Sequence, residues 1–319
     1  MDENDQSRAT EGGIGRRGLL KCMGWAGTGA LFTMSGGIAS SVMVETALAA
    51  APAAQAVTPF TFVQISDSHI GFSKPANKDV VATLRETIAK IKALPTQPDF
   101  IIHTGDITHL ATPEQFDTAH QVLTELNLPI YFVPGEHDVV DGANARPYVE
   151  RFAPNAKGDG WYSFDAKGVH VVALVNVLQF VDSGTGRLGP DQLAWLKADL
   201  APLASSTPIV VMSHFPLWPL YTQWGWGTSD GAEALALMMR FGSVTALNGH
   251  IHQIQQKVEG RVVFHAARST AYPQPAPGVG PGPGPLVVPA EQLRSYIGLT
   301  SLEVRTNTAP IALIDATLG

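Results

Sequence analysis

Five short clusters in the sequence carry residue types that bind metal ions: Asp67-Ser68-His69, Gly105-Asp106, Gly135-Glu136-His137-Asp138, Ser213-His214 and Gly249-His250-Ile251-His252. They offer carboxylate oxygens and imidazole nitrogens but no sulfur. That donor set suits Fe, Mn, Zn or Co better than a thiolate-seeking metal. It is large enough for two ions a few ångströms apart, the arrangement that serves in-line displacement at phosphorus. One such cluster alone says little, because a histidine at a strand end is more often a hydrogen-bonded surface group than a ligand. Five in series, each in the same setting, carry the reading.

The setting is a repeated pairing of apolar run and polar cluster. Runs at 60–65, 99–103, 130–133, 208–212 and 244–247 read as strands, and each leads directly into one of the clusters. Between them lie helical patterns at 77–94, where Val80, Val81, Leu84, Ile88 and Ile91 share a face, and at 113–126, 190–200 and 231–240. Pro113 and Pro190 suit first helical positions. Residues 161–164 and 169–175 form an expected hairpin around Ala166-Lys167-Gly168. The tail from Gln253 is mostly β, interrupted by a Pro/Gly-rich loop at 273–285 that is expected to wrap the surface as extended chain. Alternating β and α with a β-rich end predicts an α/β fold of two packed sheets flanked by helices. In such sheets the carboxyl ends of neighbouring strands meet on one rim, so the five clusters are expected to converge in one crevice.

Composition narrows the partners. The chain has 319 residues and a net charge of −7, with ten histidines and a single cysteine. No basic face for nucleic acid is evident, and neither a disulfide framework nor a multi-thiolate zinc site can be built. The cysteine, Cys22, lies in a segment set apart from the fold. Arg16-Arg17-Gly18-Leu19-Leu20-Lys21 resembles a twin-arginine export motif, followed by an uncharged, glycine-diluted stretch from Cys22 to Val44. Small-residue cleavage sites follow at Ala47-Leu48-Ala49 and Ala54-Gln55-Ala56. The expectation is a signal and short linker over residues 1–56 and one mature domain over 57–319. The protein would meet the twin-arginine translocase during export, touch the membrane only through that signal and work in the periplasm or outside the cell.

The series Asp67-x-His69, Gly105-Asp106, Gly135-x-His137-Asp138, His214 and Gly249-His250-x-His252 resembles the calcineurin-like metallophosphoesterase family, over about residues 58–266. The resemblance implies a four-layer α/β/β/α sandwich with a two-metal centre at its rim. By position, Asp67, His69 and His252 would bind the first metal, Asp106 would bridge both, and His214 and His250 would bind the second. It further implies attack on phosphorus by a hydroxide held between the metals. His137 would stabilise the transition state or protonate the leaving oxygen, with Asp138 orienting its ring. Fe and Mn are the metals expected first, then Zn or Co.

One residue departs from the family pattern. Glu136 stands where the family usually has an asparagine that binds the second metal. A ligating Glu136 would bring one more negative charge and favour a trivalent–divalent pair; a Glu136 that misses the metal would leave a weaker second site. The activity expected is hydrolysis of a small phosphoester, with a phosphodiester favoured over a monoester because few cations accompany the clusters. The competing reading is a non-enzymatic metal-binding or accessory protein on the same fold, with Glu136 altering the second site.

The other histidines divide by setting. His103, on its strand, is expected to sit in the core or behind the ligands, while His109, in the loop after Asp106, can reach substrate. His120 and His170 read as structural and His265 is ambiguous; Arg268 is a weak candidate for phosphate contact. The loop at 215–227 carries Trp218, Trp224 and Trp226 and reads as a packed cap, with stacking on an aromatic leaving group as the other option.

Overall fold

A computed structural model describes residues 56–139, 145–181, 184–305 and 311–319, together with the backbone of a hairpin, β1 (Ala30–Ser35) against β2 (Ile38–Met43). The twin-arginine motif and the cleavage sites lie outside these residues, apart from Ala56. The chain divides into two compact units, 1–51 and 52–319. No helix among the described residues is long and apolar enough to cross a membrane.

In the second unit the chain runs β3 (Phe60–Ile65), α1 (Val80–Lys92), β4 (Phe100–His103), α2 (Pro113–Thr124), β5 (Ile130–Phe132), a 3₁₀ turn at Glu136–Asp138 and α3 (Arg146–Phe152). The hairpin β6 (Tyr162–Ala166) and β7 (Val169–Ala173) follows, then the short strands β8 (Phe180–Val181) and β9 (Thr185–Gly186). Next come α4 (Pro190–Leu200), β10 (Ile209–Ser213), a 3₁₀ turn at Thr222–Trp224, α5 (Gly231–Met238) and β11 (Val244–Asn248). The chain closes with β12 (Gln255–Glu259), β13 (Val262–Ala266), α6 (Leu293–Tyr296), β14 (Gly298–Val304) and β15 (Ala312–Thr317).

Two sheets result. One has the order β15-β14-β3-β4-β5, with β3, β4 and β5 parallel; the other has the order β12-β13-β11-β10-β7-β6, with β13, β11, β10 and β7 parallel. Alternation along the central strands divides three apolar layers. Phe62, Phe100, Ile102, Val210 and Met212 meet between the sheets. Val63, Ile65 and Ile101 face the other way, onto Leu84, Ile88 and Ile91 of α1 and Phe116 of α2. Ile209 and Val211 face Leu196 of α4 and Ala234 and Met238 of α5. Strands buried on both faces carry continuous apolar runs, so the architecture is the four-layer α/β/β/α sandwich. Beneath the rim, buried Gln64 joins the sheets by donating to Thr104 Oγ1 (3.1 Å) and to the carbonyl of Asn248 (3.1 Å).

Element ends follow local chemistry. The first helix begins at Val80 rather than near residue 77, because Asp79 caps it by accepting from Ala82 N–H (2.9 Å). Asn77 instead donates to the carbonyl of Ala271 (2.7 Å). The second opens on Pro113 with Thr112 as its cap. The short helix α3 was not anticipated; it sits over the first sheet through Tyr148 and Phe152.

Candidate metal centre

The five clusters meet where the parallel strands end. Asp67 and His69 follow β3, Asp106 follows β4, Glu136 to Asp138 follow β5, His214 follows β10, and His250 and His252 follow β11. The backbone there is unusual. Asp67 (φ 54°), His69 (44°), Asp106 (51°), His250 (69°) and His252 (54°) all occupy the left-handed region. Such residues cost on the order of 1–3 kcal/mol each and persist only where their surroundings hold them. Here Asp67 N–H donates to Gly105 O and His69 N–H to Asp106 O, both at 2.9 Å, and Ser269 Oγ donates to Asp67 O at 2.7 Å. Two signature glycines make room for the carboxylates. A Cβ on Gly135 would lie 2.0 Å from Asp106 Oδ1, and one on Gly249 would lie 2.1 Å from Ser66 Oγ and 2.6 Å from Asp67 Oδ2.

Two triads form around a shared carboxylate. Asp67, His69 and His252 make the first, with His252 Nε2 at 3.1 Å from Asp67 Oδ1 and 3.2 Å from His69 Nε2. Glu136, His214 and His250 make the second, with Glu136 Oε2 at 2.8 Å from His214 Nε2 and Oε1 at 3.0 Å from His250 Nδ1. Asp106 Oδ2 stands 3.4 Å from both His69 Nε2 and His214 Nε2. One oxygen therefore faces both triads.

The donor atoms fit a cation. Glu136 Oε2, His214 Nε2 and both ring nitrogens of His250 are buried without a hydrogen-bond partner among the described residues. Glu136 Oε2 and His214 Nε2 are close but not aligned as donor and acceptor. Buried polar atoms are rarely left so, and an ion between them would satisfy Glu136 Oε2, His214 Nε2 and one nitrogen of His250. Electrostatics agree. Burial would raise the Glu136 carboxyl, but His250 and His214 beside it hold it well below the ordinary carboxylate range. Burial would lower His214, yet Asp106 and Glu136 raise it well above the ordinary imidazole value. The negative field that does this is the field that holds a cation.

Backbone carbonyls orient the rings from behind. His214 Nδ1 donates to Thr104 O (2.7 Å) and His252 Nδ1 to Tyr272 O (2.6 Å), which leaves each Nε2 lone pair facing the centre. Phe215 packs its ring 4.0 Å from that of His250.

His137 lies at the rim, but its relation to Asp138 differs from expectation. His137 Nδ1 donates to the carbonyl of His109 (2.7 Å). The Asp138 carboxylate is fully buried beneath and accepts from the N–H groups of Ile107 (2.9 Å), Thr108 (2.7 Å) and Gly135 (3.0 Å) and from Thr108 Oγ1 (2.8 Å). With four donors already converging on it, Asp138 does not orient the imidazole; it ties the Glu136–Asp138 turn to the loop that carries Asp106.

The remaining candidates sort cleanly. His103 is buried, with Ser68 Oγ at 2.8 Å from its Nε2, and burial lowers its pKa to about 3. His109 belongs to the site, half-buried against His69 and His137. His120 is exposed beside Phe152, His170 lies between Asp165 and Asp199, and His265 pairs with Asp315. Arg268 donates to the carbonyl of Tyr296. Trp226 is fully buried against Ile251 and Ala266, so the tryptophan loop is a packed cap. Missed from the sequence were Ser269, Tyr272 and Gln274, which donates to His250 O (2.9 Å). They follow β13, another parallel strand ending on the same rim, and that position was the available signal.

Comparison with known proteins agrees with this geometry. The profile of the calcineurin-like phosphoesterase family matches residues 60–254. A glycerophosphodiester phosphodiesterase of Enterobacter lignolyticus is 30% identical over 206 residues, covering 60% of this chain and 70% of the relative. A 3',5'-cyclic-nucleotide phosphodiesterase of a Nostoc species is 25% identical over 220 residues, covering 67% of this chain and 79% of the relative. The purple acid phosphatase of yellow lupin seeds shares the fold, with a TM-score of 0.62 at 14% identity over 84% of this chain and 53% of its own. The chain belongs to the calcineurin-like phosphoesterase family, whose members hydrolyse phosphoester bonds.

Proposed function

We propose that the protein is an exported, two-metal phosphodiesterase acting on a small phosphoester. The observation that carries the two-metal reading is Asp106 Oδ2, equidistant at 3.4 Å from a nitrogen of each triad. Asp67, His69 and His252 would hold one ion and Glu136, His214 and His250 the other, with Asp106 between them. Bound there, the ions would lower the pKa of water to make a nucleophile and offset charge on the phosphoryl oxygens. The donor set suits Fe and Mn first, with Zn or Co as alternatives.

His137 is the residue placed to handle the leaving group. Its Nδ1 proton is committed to the His109 carbonyl, so Nε2 is the nitrogen left to exchange a proton at the rim. Burial would lower its pKa, but the carboxylates of Asp106 and Glu136 raise it. Preference for a diester rests on scarce cationic help: Arg268 is engaged with Tyr296 O, and Arg187 faces Asp230 at 3.8 Å. A dianionic monoester would call for more. The names of the two phosphodiesterase relatives point the same way. Apart from Glu136, every ligand and His137 are present, which weighs against an accessory role without catalysis.

The test is hydrolysis of bis-p-nitrophenyl phosphate beside p-nitrophenyl phosphate, with Mn or Fe supplied. Faster turnover of the diester supports the reading, and no turnover of either by fully loaded protein overturns it. Export is tested separately. The paired variant Arg16→Lys, Arg17→Lys should leave the protein in the cytoplasm of a host whose twin-arginine pathway exports the wild type. The mature enzyme would then be the domain from about residue 57 to 319.

A further inference from the structure

The loop after Asp106 brings His109 against two histidines with different tasks. Its ring lies flat on that of His137, with centroids 4.8 Å apart and planes 19° apart. Its Nδ1 faces His69 Nδ1 at 3.5 Å, and its carbonyl takes the His137 Nδ1 proton at 2.7 Å. Its far side meets the edge of Phe72, with centroids 5.2 Å apart. The backbone at this point is fixed without the side chain: His109 N–H donates to Ile70 O (3.0 Å) and to Gln115 Oε1 (3.2 Å).

The chemistry of the ligand rings explains why His109 matters. His214 and His252 each have a carbonyl behind Nδ1, whereas the group facing His69 Nδ1 is the His109 imidazole. If His69 gives Nε2 to the first metal, its Nδ1 carries the proton and needs an acceptor. His109 Nδ1 is that acceptor, which puts the His109 proton on Nε2. Such outer partners set ring orientation and ligand basicity, and their loss costs about 10–100-fold in metal affinity or activity.

We propose that His109 is a positioning residue with two separable functions: its Nδ1 fixes the tautomer and plane of the metal-binding His69, and its ring holds the plane of His137 over the reacting centre. The proposal rests on the two-metal reading above. Its closing test separates the two functions by substituting one property at a time. His109→Asn keeps an acceptor oxygen where Nδ1 stood and removes the ring. His109→Phe keeps the ring face and removes the acceptor. Both retain the carbonyl that receives the His137 proton and the backbone bonds that fix the loop.

Holoprotein is titrated with a competing chelator, and kcat and KM on bis-p-nitrophenyl phosphate are measured at saturating metal. His109→Phe is expected to release the first metal about 10–100-fold more readily, a loss larger than its loss of kcat once reloaded. His109→Asn is expected to hold its metal like the wild type and to lose about 10–100-fold in kcat with KM unchanged. Wild-type behaviour of both variants in both readouts overturns the proposal. So does an equal loss in both with a shared fall in Tm, which would make His109 merely structural. Loss of a third equivalent of metal in both would make the histidine trio a metal site and also overturn it. An inactive wild type would sink the phosphodiesterase reading alone, since the chelator titration needs no turnover.

Discussion

His137 Nδ1 stands 2.7 Å from the carbonyl oxygen of His109, so the imidazole at the rim is held by backbone and not by the carboxylate that follows it in sequence. His137 and Asp138 therefore do different work, and their variants should fail differently. His137→Ala is expected to lower kcat by about 10²–10⁴-fold with an unchanged Tm. Asp138→Ala removes an acceptor from three backbone N–H groups and a hydroxyl, leaves buried donors unsatisfied and should cost about 2–3 kcal/mol of stability. Thermal unfolding and steady-state kinetics on the two variants check this; matched losses with no change in Tm would restore Asp138 to a catalytic role.

Gly135 is required by space. A methyl group there would stand 2.0 Å from Asp106 Oδ1 and 2.3 Å from the Asp106 backbone nitrogen, and neither can retreat from a packed loop. Gly135→Ala should destabilise by about 1–3 kcal/mol and displace Asp106, so both metals bind more weakly. Metal content per chain after gel filtration reads the effect. Retention of two equivalents by the alanine variant would contradict the close packing described.

Away from the centre, His170 makes stability depend on pH. It pairs with Asp199 (2.9 Å) and Asp165 (2.9 Å). Burial would lower its pKa, but the hydrogen bond it donates to Asp199, followed by that to Asp165, raises it. Burial would raise Asp199, yet His170 and Ser163 lower it. A raised histidine contributes stability that is complete below its unfolded pKa of about 6.5 and is lost as pH rises through the folded value. A lowered aspartate contributes stability above about 3.9 that is lost as pH falls through its folded value. Asp199→Asn should thus cost most between about pH 4 and 6.5, on the order of 1–2 kcal/mol, and less at pH 9. Unfolding of wild type and variant at pH 6 and pH 9 reads the difference; equal losses at both would refute the coupling.

Much of this was legible in the sequence, for physical reasons. Ile101, Val210 and Met212 sit in strands buried on both faces, which leaves a continuous apolar run that any reading registers. The sudden change to Asp106 or His214 at the end of such a run marks the rim. Asp67, His69, Asp106, His250 and His252 carry no sign in sequence of their left-handed backbone, which is imposed by the loops that hold them. The link from His137 to His109 O and that from His252 to Tyr272 O were hidden too, because every residue has a carbonyl and only tertiary closure selects one. Asp138 misled because adjacency in sequence resembled partnership; in a 3₁₀ turn the two side chains point apart, one to the rim and one into the loop beneath.

The charge of the proposed centre turns on Glu136. If it ligates, it would with Asp67 and Asp106 bring the ligand charge to −3, where an asparagine would leave −2; both its oxygens face histidines, at 2.8 and 3.0 Å. Glu136→Asn is expected to weaken the second metal and shift the centre from a trivalent–divalent pair toward two divalent ions. Metal analysis with electron paramagnetic resonance on wild type and variant distinguishes the two states.

The most direct measurement titrates metal into stripped protein while following diester hydrolysis in the same samples. Two equivalents should bind per chain, with turnover rising only as the second enters, and His214→Ala should stop at one equivalent without activity. Full activity at one equivalent, or two bound equivalents with no hydrolysis of any diester, would contradict the account.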